Sequence, residues 1–150
     1  MSISNDREFK AALAKLGDVQ RRQVAAHFVQ QVFDLSNDPR VKAALDLAGR
    51  ADASAAELSV AAAGVNTARV ESFTQCGRDT DWHSQASHFV ARAAQECVKP
   101  EVDLSDLWEA AMQSRMARIC KALAAGEGTK DREAEVQYQA LETILKVSGS

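Results

Sequence analysis

Three histidines are the first candidates for chemistry, because imidazole binds metals and moves protons near neutral pH. His83 and His88 are five residues apart, and this spacing turns them to different faces of a helix, about 140° apart. A metal-binding pair on one helix favours a spacing of four residues. His27 stands beside Phe28 as a partly buried or an exposed side chain. The histidine pattern therefore predicts neither a metal site nor a bound cofactor.

The three cysteines, Cys76, Cys97 and Cys120, form no Cys-x-x-Cys pair, and their odd number is typical of reduced thiols. In a zigzag of antiparallel helices, Cys76 and Cys120 should share the level of His83, with Cys97 about 20 Å away. These groups could form a redox or metal cluster. The simpler interpretation is a set of small core residues, because zinc would need a fourth ligand or an open water position.

Arginines on apolar helical stripes are less expected than the histidines or the cysteines. Arg69 and Arg115 each fall on the apolar stripe of a predicted helix, and Arg92 neighbours Phe89. Such a guanidinium keeps its charge and needs carboxylate or carbonyl partners. Three interpretations are open: stripe-edge residues that reach water, a buried ion-pair network, or a cleft that accepts an anionic ligand or an acidic protein surface.

Any binding surface is predicted to lie beside Arg69, Arg92 and Arg115, with Trp82 and His83 near its rim. The carboxylates expected to pair with the arginines are Asp81, Glu96 and Glu109. Both tryptophans, Trp82 and Trp108, also suit the core, although tryptophan is over-represented at partner interfaces.

Seven amphipathic helices are predicted to position these side chains. Their expected ranges are Asn5–Leu16, Val19–Phe33, Pro39–Ala48, Ser54 to the link 77–80, Asp81 to Cys97, Leu104–Leu123 and Lys130–Val147, followed by a frayed tail at 148–150. In the second helix, the residues expected to face solvent are Arg21, Arg22, Gln23, Gln30 and Gln31.

The two alanine-rich helices in the middle of the chain organise the predicted fold. Ser54 and Glu57 form a capping box at the start of the first. Gly77 fits a left-handed helix stop, and Pro100 closes the second helix. Because the link at 77–80 is short, the pair should be antiparallel. Asp38 and Asp103 are expected to cap two further helices.

The composition favours one all-α domain over residues 1–150. Hydrophobic residues make up 46% of the chain and aromatic residues only 5%, and no stretch shows the alternation of a strand. The net charge of −3 argues against a nucleic-acid partner, which usually meets a clustered basic face. The absence of a membrane-length apolar run and of a signal peptide predicts a cytoplasmic protein without membrane contact. No phosphate loop, His-Glu-x-x-His or Gly-x-Ser-x-Gly motif is present, which lowers the expectation of an enzyme.

Three segments carry a family resemblance: Asp38–Gly49 with the following alanine-rich helix to Arg69, Ser87–Ala94, and Glu133–Leu141. They resemble the immunity proteins of bacterial polymorphic-toxin systems, and the likeness extends from about Gln30 onward. That family tends to have a histidine in its first alanine-rich helix, where residues 60–68 contain none, so no site residue is transferred. The resemblance implies an all-helical protein that binds and blocks a cognate toxin.

Three functions therefore follow from the sequence as alternatives. The leading one is a non-catalytic helical binding protein with a protein partner, of which toxin neutralisation is the most concrete form. The second is a small-ligand- or metal-binding bundle, with or without enzymatic activity. The third is a homo-oligomeric scaffold that pairs through an exposed alanine-rich face.

Overall fold

Most helices of this chain begin where the sequence supplies a cap. A computed structural model describes residues 2–78, 82–126 and 132–148, without the side chains of 75–78 and 147–148. Over these ranges the chain forms seven α-helices, one short 3₁₀ turn and no strand, which confirms the all-α prediction. The helices are α1 (Asp6–Leu13), α2 (Asp18–Gln30), α3 (Pro39–Ala48), α4 (Ala55–Arg78), α5 (Trp82–Cys97), α6 (Leu104–Ala124) and α7 (Glu133–Ser148), and the 3₁₀ turn is Phe33–Leu35.

The predicted N-caps are made. At α4, Ser54 Oγ accepts from the Glu57 amide at 3.1 Å, and the Glu57 carboxylate accepts from the Ser54 amide at 3.0 Å. Asn5, Asp38 and Asp103 likewise accept amide hydrogens at the starts of α1, α3 and α6. Each cap satisfies a donor that the first helical turn leaves unpaired, and is worth about 1 kcal/mol.

Several helix ends differ from the prediction. α1 ends at Leu13 because the next amides bond three residues back, with Leu16 N to Leu13 O at 3.2 Å, and this tightens the chain into a turn. α2 likewise ends at Gln30, before the 3₁₀ turn. α4 continues through Gly77, which is therefore not a helix stop, and α7 includes Ser148. The expected start of α7 near Lys130, part of the α4–α5 link, and residues 149–150 lie outside the described residues.

α5 lies at the centre of the bundle, between α4 and α6. Its inward side chains are small and fully buried, among them Ala86, Val90, Ala93, Ala94 and Cys97. Small side chains on this helix let α6 approach closely, and the two make the most extensive helix contact in the structure.

α4 packs antiparallel to α5 at the edge of the bundle. Ser72 contacts His88 and Asn66 contacts Gln95, so residue numbers fall along one helix as they rise along the other. The buried side chains of α4 between residues 55 and 74 are Leu58, Val65 and Ala68. Its opposite face is exposed.

An aromatic cluster joins the two ends of the chain to the core. Phe9 of α1 packs against Phe28, Trp108 and Tyr138, with ring centroids between 5.2 and 6.1 Å apart. These rings come from α1, α2, α6 and α7, so the terminal helices belong to one hydrophobic core. Trp108 thus packs against the core, as predicted. Trp82 is 40% exposed, so its predicted place in the core is wrong.

Candidate binding site

A cleft lined by both polar and apolar groups opens between the turn that precedes α3 and the facing walls of α4 and α5. It consists of two adjoining cavities, each of about 470 Å³, which share the side chains of Ser36, Asn37, Ser72 and Ser87. We call this site the serine cleft. Its α3 end is also lined by Asp38, Arg40 and Glu71, and its α6 end by Asp34, His83, Ser84 and Lys121.

The turn at one side of the cleft depends on an unusual backbone conformation. Asn37 has φ 66°, in the left-handed region, where asparagine is better tolerated than most residues. This conformation reverses the chain between the 3₁₀ turn and α3. Asp38 then caps α3 through the Arg40 amide at 2.9 Å, which fixes the cleft wall.

Paired charges close both ends of the serine cleft. At the α3 end, Arg40 Nη2 contacts Asp38 Oδ2 at 2.8 Å and Glu71 Oε2 at 2.7 Å, and so ties α3 to α4. Hydrogen bonds from Arg40 lower the pKa of both carboxyls. At the other end, Lys121 Nζ lies 3.6 Å from Asp34 Oδ2. These charges are already paired with each other. The middle of the cleft therefore presents hydroxyl and amide groups and no excess of positive or negative charge.

His88 lies behind the cleft wall, with its Nδ1 3.0 Å from Ser72 Oγ. The Ser72 hydroxyl also donates to the Arg69 carbonyl at 2.9 Å. Burial lowers the pKa of His88, and the positive charge of Arg92 lowers it further. The Ser72–His88 contact joins α4 to α5.

Four of the five predicted site residues lie on the α4–α5 pair. Arg69 is half-buried, donates to Asn66 Oδ1 at 3.1 Å and, like the exposed Arg92, acts on the charge of His88. His83 lines the serine cleft, and the neighbouring Trp82 is 40% exposed at the start of α5. Arg69 and Arg92 thus both lie close enough to affect His88, which contacts the cleft residue Ser72.

Arg115 lies elsewhere, and its placement on the predicted surface is corrected. It is only 6% exposed, because α1 and α7 cover this face of α6. Its guanidinium donates to both carboxylate oxygens of Asp6, at 2.9 and 3.1 Å, and to Gln137 Oε1 at 2.9 Å. Tyr138 donates to the same Asp6 carboxylate at 2.7 Å. This is the buried-network interpretation, and we call the four residues the Arg115 network.

The carboxylates expected to pair with the arginines have other partners. Glu96 accepts from Lys99 at 2.7 Å, and Glu109 accepts from Gln113 at 2.6 Å. The third candidate, Asp81, lies outside the described residues. The true partner, Asp6, is 109 positions away from Arg115, and no local pattern indicates a contact over that distance.

Arg22 is a buried structural arginine whose burial the sequence did not predict. It was expected to face solvent, but it is only 6% exposed. Its Nε donates to the Ala48 carbonyl at 3.1 Å and its Nη2 to the Arg50 carbonyl at 2.7 Å. It therefore pairs carbonyls that the C-terminus of α3 leaves unsatisfied. The one signal in the sequence was that the last turn of α3 has no basic residue of its own, so a cation from another helix could interact with its free carbonyls.

Cys97 and Cys120 are both buried. Burial raises the pKa of the Cys97 thiol, whose sulfur lies 3.5 Å from the Ala93 carbonyl oxygen. The Cys76 side chain is outside the described residues, so the predicted common level of Cys76 and Cys120 stays a prediction. Within the described ranges, no three His, Cys, Asp or Glu side chains are grouped as a metal site would need.

Comparison of the chain with protein-family models, with curated proteins and with solved structures gave no match. The resemblance to immunity proteins therefore stays a prediction. Among the described helices, none combines the length and the apolar character needed to cross a membrane.

Proposed function

We propose that this chain is a non-catalytic binding protein, and that its serine cleft holds a segment of a protein partner. The observation that carries the proposal is the cleft itself: two joined cavities of about 470 Å³ each, with Ser36, Asn37, Ser72 and Ser87 on the shared wall. Hydroxyl and amide groups both donate and accept hydrogen bonds, as a peptide backbone requires.

The surroundings of the cleft also favour a protein partner. Trp82 is 40% exposed beside the cleft residue His83, and Phe73 is 64% exposed next to the cleft residue Ser72. Exposed aromatic side chains beside a cleft supply the apolar anchors around which protein interfaces are built. The Arg40–Glu71 pair, part of the cleft wall, would contribute specificity more than affinity.

The most concrete partner is a bacterial toxin, because the sequence resembles immunity proteins, and the encounter would take place in the cytoplasm. Neutralisation by binding needs no general base. In this proposal the cleft encloses a loop of the toxin, so that the toxin cannot reach its substrate.

If the chain is an immunity protein, its gene follows directly after the toxin gene. The experiment therefore measures binding of the protein encoded immediately upstream, purified as an inactive variant, by isothermal titration calorimetry. Ser87→Arg places a long charged side chain into the cavity that Ser87 lines, and we expect it to weaken binding at least tenfold. Ser105→Arg is the matched control, because Ser105 is exposed on α6 and does not line the cleft. Circular dichroism melts establish that both variants fold.

Binding by the wild type and by Ser105→Arg, together with loss in Ser87→Arg, would support the proposal. Equal affinity of the two variants would exclude the cleft as the binding site. Absence of wild-type binding to the upstream protein would exclude it as the cognate toxin.

A further inference from the structure

The contact between α4 and α5 has a second surface, which is separate from the serine cleft. It consists of Arg69 and Phe73 of α4 and of Phe89 and Arg92 of α5, which surround the buried His88. We call it the arginine face. None of these five side chains lines the cleft cavities, so an inference about this face does not rest on the function proposed above.

Aromatic rings form one half of the arginine face. The centroid of the His88 ring lies 5.7 Å from that of Phe73 and 6.0 Å from that of Phe89. Phe89 is half-buried and packs against the core, whereas Phe73 is 64% exposed. An apolar side chain of a partner that packed against Phe73 would remove this ring from water, which is favourable.

The other half of the arginine face holds two positive charges opposite each other. Asn66 Oδ1 accepts from Gln95 Nε2 at 3.4 Å across the antiparallel helices. Three residues further along each helix from this contact, Arg69 of α4 therefore faces Arg92 of α5, and both act on the charge of the nearby His88. Asn66 also accepts from Arg69 at 3.1 Å, which positions the guanidinium but does not neutralise it.

Within the ranges that the structure describes, neither arginine of the face forms an ion pair. The nearest described carboxylates in sequence have other cations: Glu71 contacts Arg40 at 2.7 Å, and Glu96 contacts Lys99 at 2.7 Å. Two like charges that face each other without a counter-ion repel, and an acidic group from outside the chain would remove this repulsion. Five other arginines do contact carboxylates, namely Arg21, Arg40, Arg50, Arg115 and Arg118.

We propose that the arginine face binds an acidic segment of a partner protein, whose carboxylates pair with Arg69 and Arg92 and whose neighbouring apolar side chain packs against Phe73. Guanidinium groups bind carboxylates through paired, charge-assisted hydrogen bonds. A small anionic ligand would favour a concave site, and the two cavities described above do not include these side chains. A nucleic acid would need an extended basic surface, whereas this chain has a net charge of −3.

Nuclear magnetic resonance of the full chain tests the proposal, with the peptide acetyl-Glu-Glu-Phe-Glu-Glu-amide as the probe. We expect amide shifts at Arg69, Phe73 and Arg92, with a dissociation constant of roughly 0.1–1 mM at low ionic strength. Bound carboxylates would oppose the positive charge around His88, so the pKa of its imidazole should rise when the peptide binds. The same peptide with lysine in place of each glutamate should cause neither change.

Two double variants separate this face from general charge attraction. Arg69→Gln/Arg92→Gln should weaken peptide binding roughly fivefold, as the loss of two exposed ion pairs predicts. Arg7→Gln/Lys15→Gln is the matched control, because it removes two positive charges at exposed positions outside the face, and it should bind like the wild type. Circular dichroism melts of both variants should resemble that of the wild type, since the arginines of the face have no carboxylate partner in the described ranges to lose.

Binding by the wild type and by the control, with weaker binding by Arg69→Gln/Arg92→Gln, would support the proposal. Absence of shifts at the face up to about 5 mM peptide, or equal binding by the two double variants, would overturn it. Inorganic phosphate that shifted the same amides as strongly as the peptide would assign the face to small anions and would also overturn it. A large loss of stability in Arg69→Gln/Arg92→Gln would show that these arginines are paired within the protein, which contradicts the proposal.

Discussion

Replacement of Arg115 by alanine should be among the most destabilising single changes in this protein. The guanidinium makes two hydrogen bonds to Asp6 and one to Gln137, and it lies 5.5 to 5.8 Å from the ring centroids of Phe9, Trp108 and Tyr138. Its loss would leave the Asp6 carboxylate without its ion pair and the fully buried Gln137 without a donor.

The magnitude follows from the burial of each partner. Breaking a buried ion pair costs about 3–5 kcal/mol. The Asp6 side chain is 47% exposed and can regain water, so we expect the lower end, about 3 kcal/mol. Arg69→Ala is the matched control. Arg69 is half-buried and, in the part of the chain that the structure describes, its guanidinium donates to Asn66, so its removal should cost less than about 1 kcal/mol.

Urea unfolding followed by circular dichroism measures both variants at pH 7. The pH dependence then isolates the ion pair. The hydrogen bond from Arg115 is the main cause of a lowered pKa for Asp6, below its ordinary 3.8. The stabilisation is therefore present above about pH 4 and is lost as the pH falls through the lowered pKa. The stability difference between wild type and Asp6→Asn should shrink in the same range. Equal unfolding free energies for Arg115→Ala and Arg69→Ala would refute this account of the Arg115 network.

Three further predictions concern other buried groups. Arg22→Ala should lower the unfolding free energy by roughly 2–3 kcal/mol, since it leaves carbonyls at the end of α3 without a donor. The control Lys42→Ala, at an exposed position, should change the unfolding free energy by less than about 0.5 kcal/mol. Equal losses in the two variants would contradict this prediction. Because burial lowers the pKa of His88, the unfolding free energy of the wild type should fall as the pH drops below 6.5. His88→Gln should make this loss of stability smaller. The same pH dependence in the variant and the wild type would contradict the prediction. Cys97 should react with a disulfide reagent only when the chain opens, because its thiol is fully buried with a raised pKa; rapid labelling in the native state, read by mass spectrometry, would contradict its burial.

The fold was predictable because it depends on local signals. Capping side chains at Asn5, Asp38, Ser54 and Asp103 fix where helices begin, and helical periodicity between them shows which face is apolar. The exact ends were less predictable, because the turn after Gln30 depends on tertiary packing and not on a helix-breaking residue.

The candidate site was only partly predictable. His83 stands on the cleft, and Arg69 and Arg92 meet around His88, because all lie on two adjacent antiparallel helices. Arg115 has the same local pattern as Arg69. Arg115 is buried because α1, which is distant in sequence, lies over it. Local sequence does not show which of the two arginines is covered in this way. The serine cleft was missed because Ser36 and Asn37 belong to a turn whose position against α4 and α5 is a tertiary property.

A protein partner seated in the serine cleft should shield the cleft residues from solvent. Hydrogen–deuterium exchange of the chain, alone and saturated with the upstream-encoded protein, tests it directly. We expect slower exchange at residues 34–38 and at the first turn of α5, which border the cleft, and unchanged exchange in α7. Protection confined to α1 or α7, with residues 34–38 exchanging as fast as in the free chain, would contradict the claim.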